Sequence, residues 1–142
     1  MRLVLDTATM VAAIRSNVGA SNRLLVAGLS GRFIMLVSTP LLMEYEAVMT
    51  RPEHLKASGL TAGEVATVPD MVAAAAKPVR LAFLWRPAVR DPDDDMVLET
   101  AANSQADAIV TFNKRDFAAV AERFGVGVWS PGDAMKRLET EQ

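Results

Sequence analysis

Short apolar runs alternate with helix-like segments along this chain, and that alternation restricts the fold more than any other feature. Arg2-Leu3-Val4-Leu5-Asp6 is the first run. Phe33 to Val37 is the second, Val79 to Leu84 the third, Asp107 to Thr111 the fourth and Val126 to Trp129 the fifth. Apolar runs of this kind, bounded by turn signals, suit strands buried on both faces. Strands alternating with helices imply a mainly parallel sheet covered on both sides. The expected architecture is α/β: a three-layer α/β/α fold with a central, mainly parallel sheet of four to five strands, as a single domain over residues 1–142.

The helical segments carry their own start and stop signals. Thr9 to Ile14 reads as a helix with Thr7 or Thr9 as cap, and Ser21 can cap a second one through about Leu29. Ser38-Thr39-Pro40 supplies a hydroxyl cap and a first-turn proline for a third, which Arg51-Pro52 stops. His54 to Gly59 reads as a connector. Thr61-Ala62-Gly63-Glu64 is a capping box for a helix to about Ala76, with Pro69 a point where it could split and Lys77-Pro78 its end. A helix over about Asp94 to Ser104, a short one that follows the polar turn Phe112 to Asp116 and runs through Phe124, and a last one opened by Ser130-Pro131-Gly132-Asp133 and reaching about Leu138 complete the set.

Composition removes several chemistries. The chain has no cysteine and a single histidine, His54, so thiolate sites and His-rich zinc sites are excluded. Net charge is −2 and the sequence pI is about 5.4, which gives no global pull on nucleic acid. Only Leu3, Val4 and Leu5 precede Asp6 as an apolar start, too little for a secretory signal. No apolar run approaches the ~20 residues that cross a bilayer. The expectation is a cytoplasmic protein without a membrane span.

The acids gain meaning from the topology. Sites in open α/β sheets form beyond the carboxyl ends of the strands. Asp6 ends the first strand. Glu44 lies early in the helix after the second and borders its inward face, which Leu41, Tyr45 and Val48 define. Asp94 and Asp95 begin the helix after the third, at the end of the run Asp91-Pro92-Asp93-Asp94-Asp95, and Asn113 and Asp116 follow the fourth. Parallel strands bring these points to one edge. Converging carboxylates repel and take up protons unless a cation neutralises them. Oxygen ligands suit Mg²⁺ or Mn²⁺. Such ions polarise phosphoryl oxygens and activate water, so hydrolysis of a phosphodiester is the natural chemistry.

Read singly, most of these residues have plainer roles. Asp91 and Asp93 suit a turn and a helix start, Asp116 a cap for the helix of Phe117, and Glu99 a solvated face. Trp85 and Trp129 suit packing. Lys114-Arg115, Arg86 and Arg90 lie near the acidic edge in sequence and could contact substrate phosphates, although surface solvation accounts for each.

Together, these marks resemble the PIN domain, a fold of metal-dependent ribonucleases that includes VapC-like toxins of toxin–antitoxin systems. The resemblance rests on Leu3-Val4-Leu5-Asp6-Thr7, Ser38 through Glu44-Tyr45, Asp91 to Asp95 with Leu98-Glu99 and Ala101-Ala102, Asp107 to Thr111, Asn113 and Asp116-Phe117. It implies a type II toxin that cleaves RNA with Mg²⁺ or Mn²⁺, pairs with an antitoxin and forms a homodimer. Asp6 and Glu44 match the first two acids of that family. Asp95 best matches the third, with Asp94 a near equal, and Asn113 stands at the fourth. Asp116 matches a further acid, Thr111 a common hydroxyl, and Thr7 and Asp91 fall in supporting positions. Ala8 departs from the family, which has asparagine two residues after the first aspartate. That departure favours the alternative of an inactive PIN-like module binding RNA or a protein partner. Ala8 also removes the second aspartate that a phosphatase using Asp6 as phosphoacceptor would need.

Overall fold

The computed structural model describes residues 1–83 and 92–141. Its sheet has five parallel strands: β1 (Arg2–Leu5), β2 (Ile34–Val37), β3 (Lys77–Pro78), β4 (Ala108–Val110) and β5 (Gly127–Trp129), in the order β3-β2-β1-β4-β5. β1 is central. Leu3, Val4 and Leu5 are consecutive and fully buried, as are Ala108, Ile109 and Val110. Successive strand residues point to opposite faces, so both faces of the sheet are covered. The three-layer α/β/α arrangement read from the sequence is the one observed.

The helices are α1 (Thr7–Arg15), α2 (Ala20–Leu29), α3 (Thr39–Met49), α4 (Pro52–Ser58), α5 (Ala62–Ala75), α6 (Pro92–Ser104), α7 (Lys114–Arg123) and α8 (Pro131–Thr140). Ser38 caps α3 by accepting from the Leu41 N–H, and Thr61 and Glu64 form the expected capping box on α5. Pro69 does not split α5, which runs on through it. The segment expected to connect helices, His54 to Gly59, is mostly α4, whose left-handed Gly59 stops it (φ +73°). Among the described residues no helix is long and apolar enough to cross a membrane.

The third strand departs from the sequence expectation. It lies at Lys77–Pro78, where Leu36 pairs with Lys77 and Val37 with Pro78, and Val79 to Phe83 is not strand. Leu84 and Asp91 fall outside the described residues. An edge strand pairs on one side only, so a proline is tolerated there and a long apolar run is unnecessary. Glu99 also differs from expectation: it is fully buried on α6 instead of lying on a solvated face.

Candidate active site at the carboxyl edge of the sheet

Asp6 follows directly on β1. Its backbone N–H donates to the Val110 carbonyl (3.0 Å), which continues the β1–β4 ladder one residue past the strand. Its side chain caps α1: Asp6 Oδ1 accepts from the Thr9 N–H at 2.8 Å. Neither Thr7 nor Thr9 is the cap. Thr9 Oγ1 donates to the Val110 carbonyl at 3.2 Å and pins the first turn of α1 to β4.

Thr111, fully buried at the end of β4, links three parts of this edge. Its side chain hydrogen-bonds Asp6, its Oγ1 accepts from the Asn113 N–H (2.9 Å), and its own N–H donates to the Trp129 carbonyl (2.9 Å). Behind Asp6 lies Tyr45 of α3. It is fully buried, and its hydroxyl donates to the Leu5 carbonyl. Burial, and secondarily the charge of Asp6, raises the Tyr45 pKa, so the phenol stays neutral.

Asp6 is only 5% exposed. Burial raises its pKa above the ordinary 3.8, and the hydrogen bonds from Thr111 and Thr9 offset part of that rise. The carboxylate is therefore held in place but poorly compensated in charge.

Beside it is a cavity of about 210 Å³ lined by Asp6, Thr7, Ala8, Glu44, Val48, Arg51, Asp94, Asn113 and Asp116. Asp6, Glu44, Asp94, Asn113 and Asp116, which the sequence placed on one edge, thus meet around one space. Asp95 does not line it; it is buried, 3% exposed, in the first turns of α6. Thr7 lines the cavity, while Thr111 acts from beneath through Asp6 and Asn113. Arg51 is the residue that sequence reasoning missed, because Arg51-Pro52 read as a helix stop. Glu44 and Val48 are one turn apart on α3, and Arg51 lies just past its end as the extended N-cap of α4, so the available signal was its closeness in sequence to the Glu44–Val48 face.

Three observations bear on a divalent ion. The lining offers four carboxylates and no nitrogen or sulfur ligand, the donor set of a hard cation. Thr7 Oγ1 is buried without a hydrogen-bond partner. The Asp6 charge is under-compensated. These fit Mg²⁺ or Mn²⁺. Among the described residues, however, no group of three or more acids stands close enough to ligate one ion directly. Mg²⁺ commonly keeps several of its waters, so such a cavity suits an ion reached partly through water.

A central parallel sheet with acids gathered at its carboxyl edge defines a class of α/β domain with a carboxylate-lined site. The PIN domain family matches residues 2–115, and the chain belongs to that family. Among solved structures it is similar in fold to a chain of VapBC2 from Rickettsia felis bound to a DNA fragment from their promoter. The TM-score is 0.64 at 13% identity, covering 92% of this chain and 98% of that one. No curated protein matches it in sequence.

Proposed function

We propose that the chain is a metal-dependent endoribonuclease, the toxin of a type II toxin–antitoxin pair, acting in the cytoplasm with a cognate antitoxin and as a homodimer. The observation that carries the reading is the meeting of Asp6, Glu44, Asp94 and Asp116 around one cavity in a PIN domain. The fold shared with a VapBC2 chain supports the antitoxin as partner.

Asp6 and Glu44, with Asp94 or Asp95 and with Asp116, are the residues that would hold Mg²⁺ or Mn²⁺. The chemistry a bound ion supplies is polarisation of a phosphoryl oxygen and activation of water. The chain's own residues do the rest. Thr9 and Thr111 fix the Asp6 carboxylate, Tyr45 fixes the strand end that carries it, and Asn113 is positioned through its backbone by Thr111. Arg51 is the one cation among the described lining residues, and it is exposed. It is suited to meet a non-bridging oxygen of the scissile phosphate, where charge accumulates in the transition state.

The test is cleavage of single-stranded RNA with Mn²⁺, with EDTA, and with an Asp6→Asn variant. Cleavage that needs Mn²⁺ and is lost in the variant supports the enzyme. A second reading, a binding module without catalysis, is favoured by Ala8 on the cavity wall and by the absence of a direct three-acid cluster among the described residues. RNA binding without cleavage, and no Mn²⁺ binding, would decide for that module.

A further inference from the structure

The acidic cavity poses a problem for its own substrate. RNA carries one negative charge per nucleotide, and four carboxylates repel it everywhere except at a neutralised phosphate. The chain as a whole is net −2 and adds no compensating field. Cations near the cavity must hold the strand against this repulsion.

They are found on the far side of Asn113. A second, larger depression of about 650 Å³ is lined by Lys114, Val128, Trp129, Asp133, Lys136 and Arg137. Three cations there face one carboxylate. Asn113 lines the acidic cavity and Lys114 the basic groove, so the start of α7 is the wall between them. The two are also joined through the backbone, because the Trp129 carbonyl accepts from Thr111, the residue bonded to Asp6.

The groove's parts suit a phosphate chain. The Arg137 guanidinium lies 4.2 Å over the Trp129 ring, which orders it before any ligand arrives. Lys136 is exposed and forms no ion pair among the described residues. Lys114 reaches Asp133 at 3.0 Å, and both side chains remain about half exposed, so that pair is weak and exchangeable. Phe112, next to Asn113, is 57% exposed and offers an aromatic face at the same edge. Cations interleaved with aromatic rings are the means by which single strands are held without sequence preference. The family match ends at residue 115, so Val128 to Arg137 lie beyond it.

We infer that the β5–α8 groove, through Lys114, Lys136 and Arg137, is the track that holds the phosphate backbone of single-stranded RNA beside the acidic cavity. This assignment rests on the nuclease reading, but its test does not depend on catalysis. Binding of a labelled single-stranded RNA to the full chain is followed by fluorescence anisotropy in EDTA over a range of salt concentrations. Wild type, Lys136→Ala, Lys136→Ala/Arg137→Ala, Lys136→Arg and Asp6→Asn are compared, each checked for an unchanged circular dichroism spectrum.

The expected result is a Kd raised severalfold by Lys136→Ala and further by the double variant. The slope of log K against log salt falls by about 0.7 for each cation that loses a phosphate. Lys136→Arg binds like wild type, whereas Asp6→Asn, which removes one of the repelling carboxylates, binds RNA more tightly. RNA affinity and salt slope unchanged in the double variant would overturn the assignment, even if the protein cleaves RNA. Displacement of no RNA but tight binding of a polyglutamate peptide that requires Lys136 would also overturn it, in favour of an acidic protein partner. Charge-dependent RNA binding in EDTA, together with no cleavage when Mn²⁺ is supplied, would keep the groove and remove the nuclease reading.

Discussion

The Tyr45 hydroxyl donates to the carbonyl of Leu5, one residue before Asp6. A helix four elements later in the chain thus fixes the strand end from which the central acid projects. Tyr45→Phe keeps the ring and removes this bond, leaving a buried carbonyl without that partner. The expected cost is about 1–3 kcal/mol, read from urea unfolding. RNA cleavage at a temperature where the variant is still folded should also fall, because Asp6 is less firmly placed. Unchanged stability would show that the bond contributes nothing to the fold.

Asp6 gives the ion-free protein an unusual pH dependence. Burial raises its pKa in the folded state above 3.8. The stability it contributes is therefore fully present below 3.8 and is lost as pH rises through the raised folded value. Near neutral pH the ionised group works against the fold. Asn caps helices about as well as Asp, so Asp6→Asn should keep α1 capped while removing the charge. In EDTA at about pH 7 the variant is expected to melt above wild type, with the gap closing on acidification. A variant that melts at or below wild type at neutral pH would contradict this.

Mn²⁺ should raise the melting temperature of wild type and not of Asp6→Asn, since a ligand that binds only the folded state stabilises by about 2.7 kcal/mol at a hundred times its Kd. Ala8 lines the same cavity. Ala8→Asn introduces an amide oxygen there and is expected to tighten Mn²⁺ binding by about tenfold, the size typical of a supporting group near a metal. Calorimetry of the two proteins checks it, and an unaltered Kd would mean that position 8 does not reach the ion.

Arg51 should separate binding from turnover. It is a cation in a carboxylate-lined space, so Arg51→Ala is expected to strengthen Mn²⁺ binding while slowing RNA cleavage by roughly a hundredfold. Its side chain is exposed, and stability should stay within about 0.5 kcal/mol. Cleavage kinetics at saturating Mn²⁺ are the measurement. Slower cleavage caused only by weaker Mn²⁺ binding would assign Arg51 a structural role.

Most of this edge was legible in the sequence because parallel topology converts strand order into spatial position. Asp6, Glu44, Asp94, Asn113 and Asp116 needed only the strand–helix alternation to be placed together. β3 was not legible. Local apolar content favoured Val79 to Leu84, whereas pairing with Leu36 and Val37 is set by where α5 ends. Glu99 was misjudged because helical spacing gives relative faces, not which face meets the core. Arg51 was hidden by its neighbour Pro52, whose helix-breaking signal drew attention from the cavity face that Glu44 and Val48 had already marked.

The central position of β1 has a consequence for control. Strands at the middle of a sheet generally exchange their amide hydrogens only when the whole molecule opens. Asp6 is the next residue and is tied to β4 by its own N–H, so this acid has no fraying end to retreat into. On the proposed reading, a partner would silence such a site by covering its acidic edge, not by loosening it.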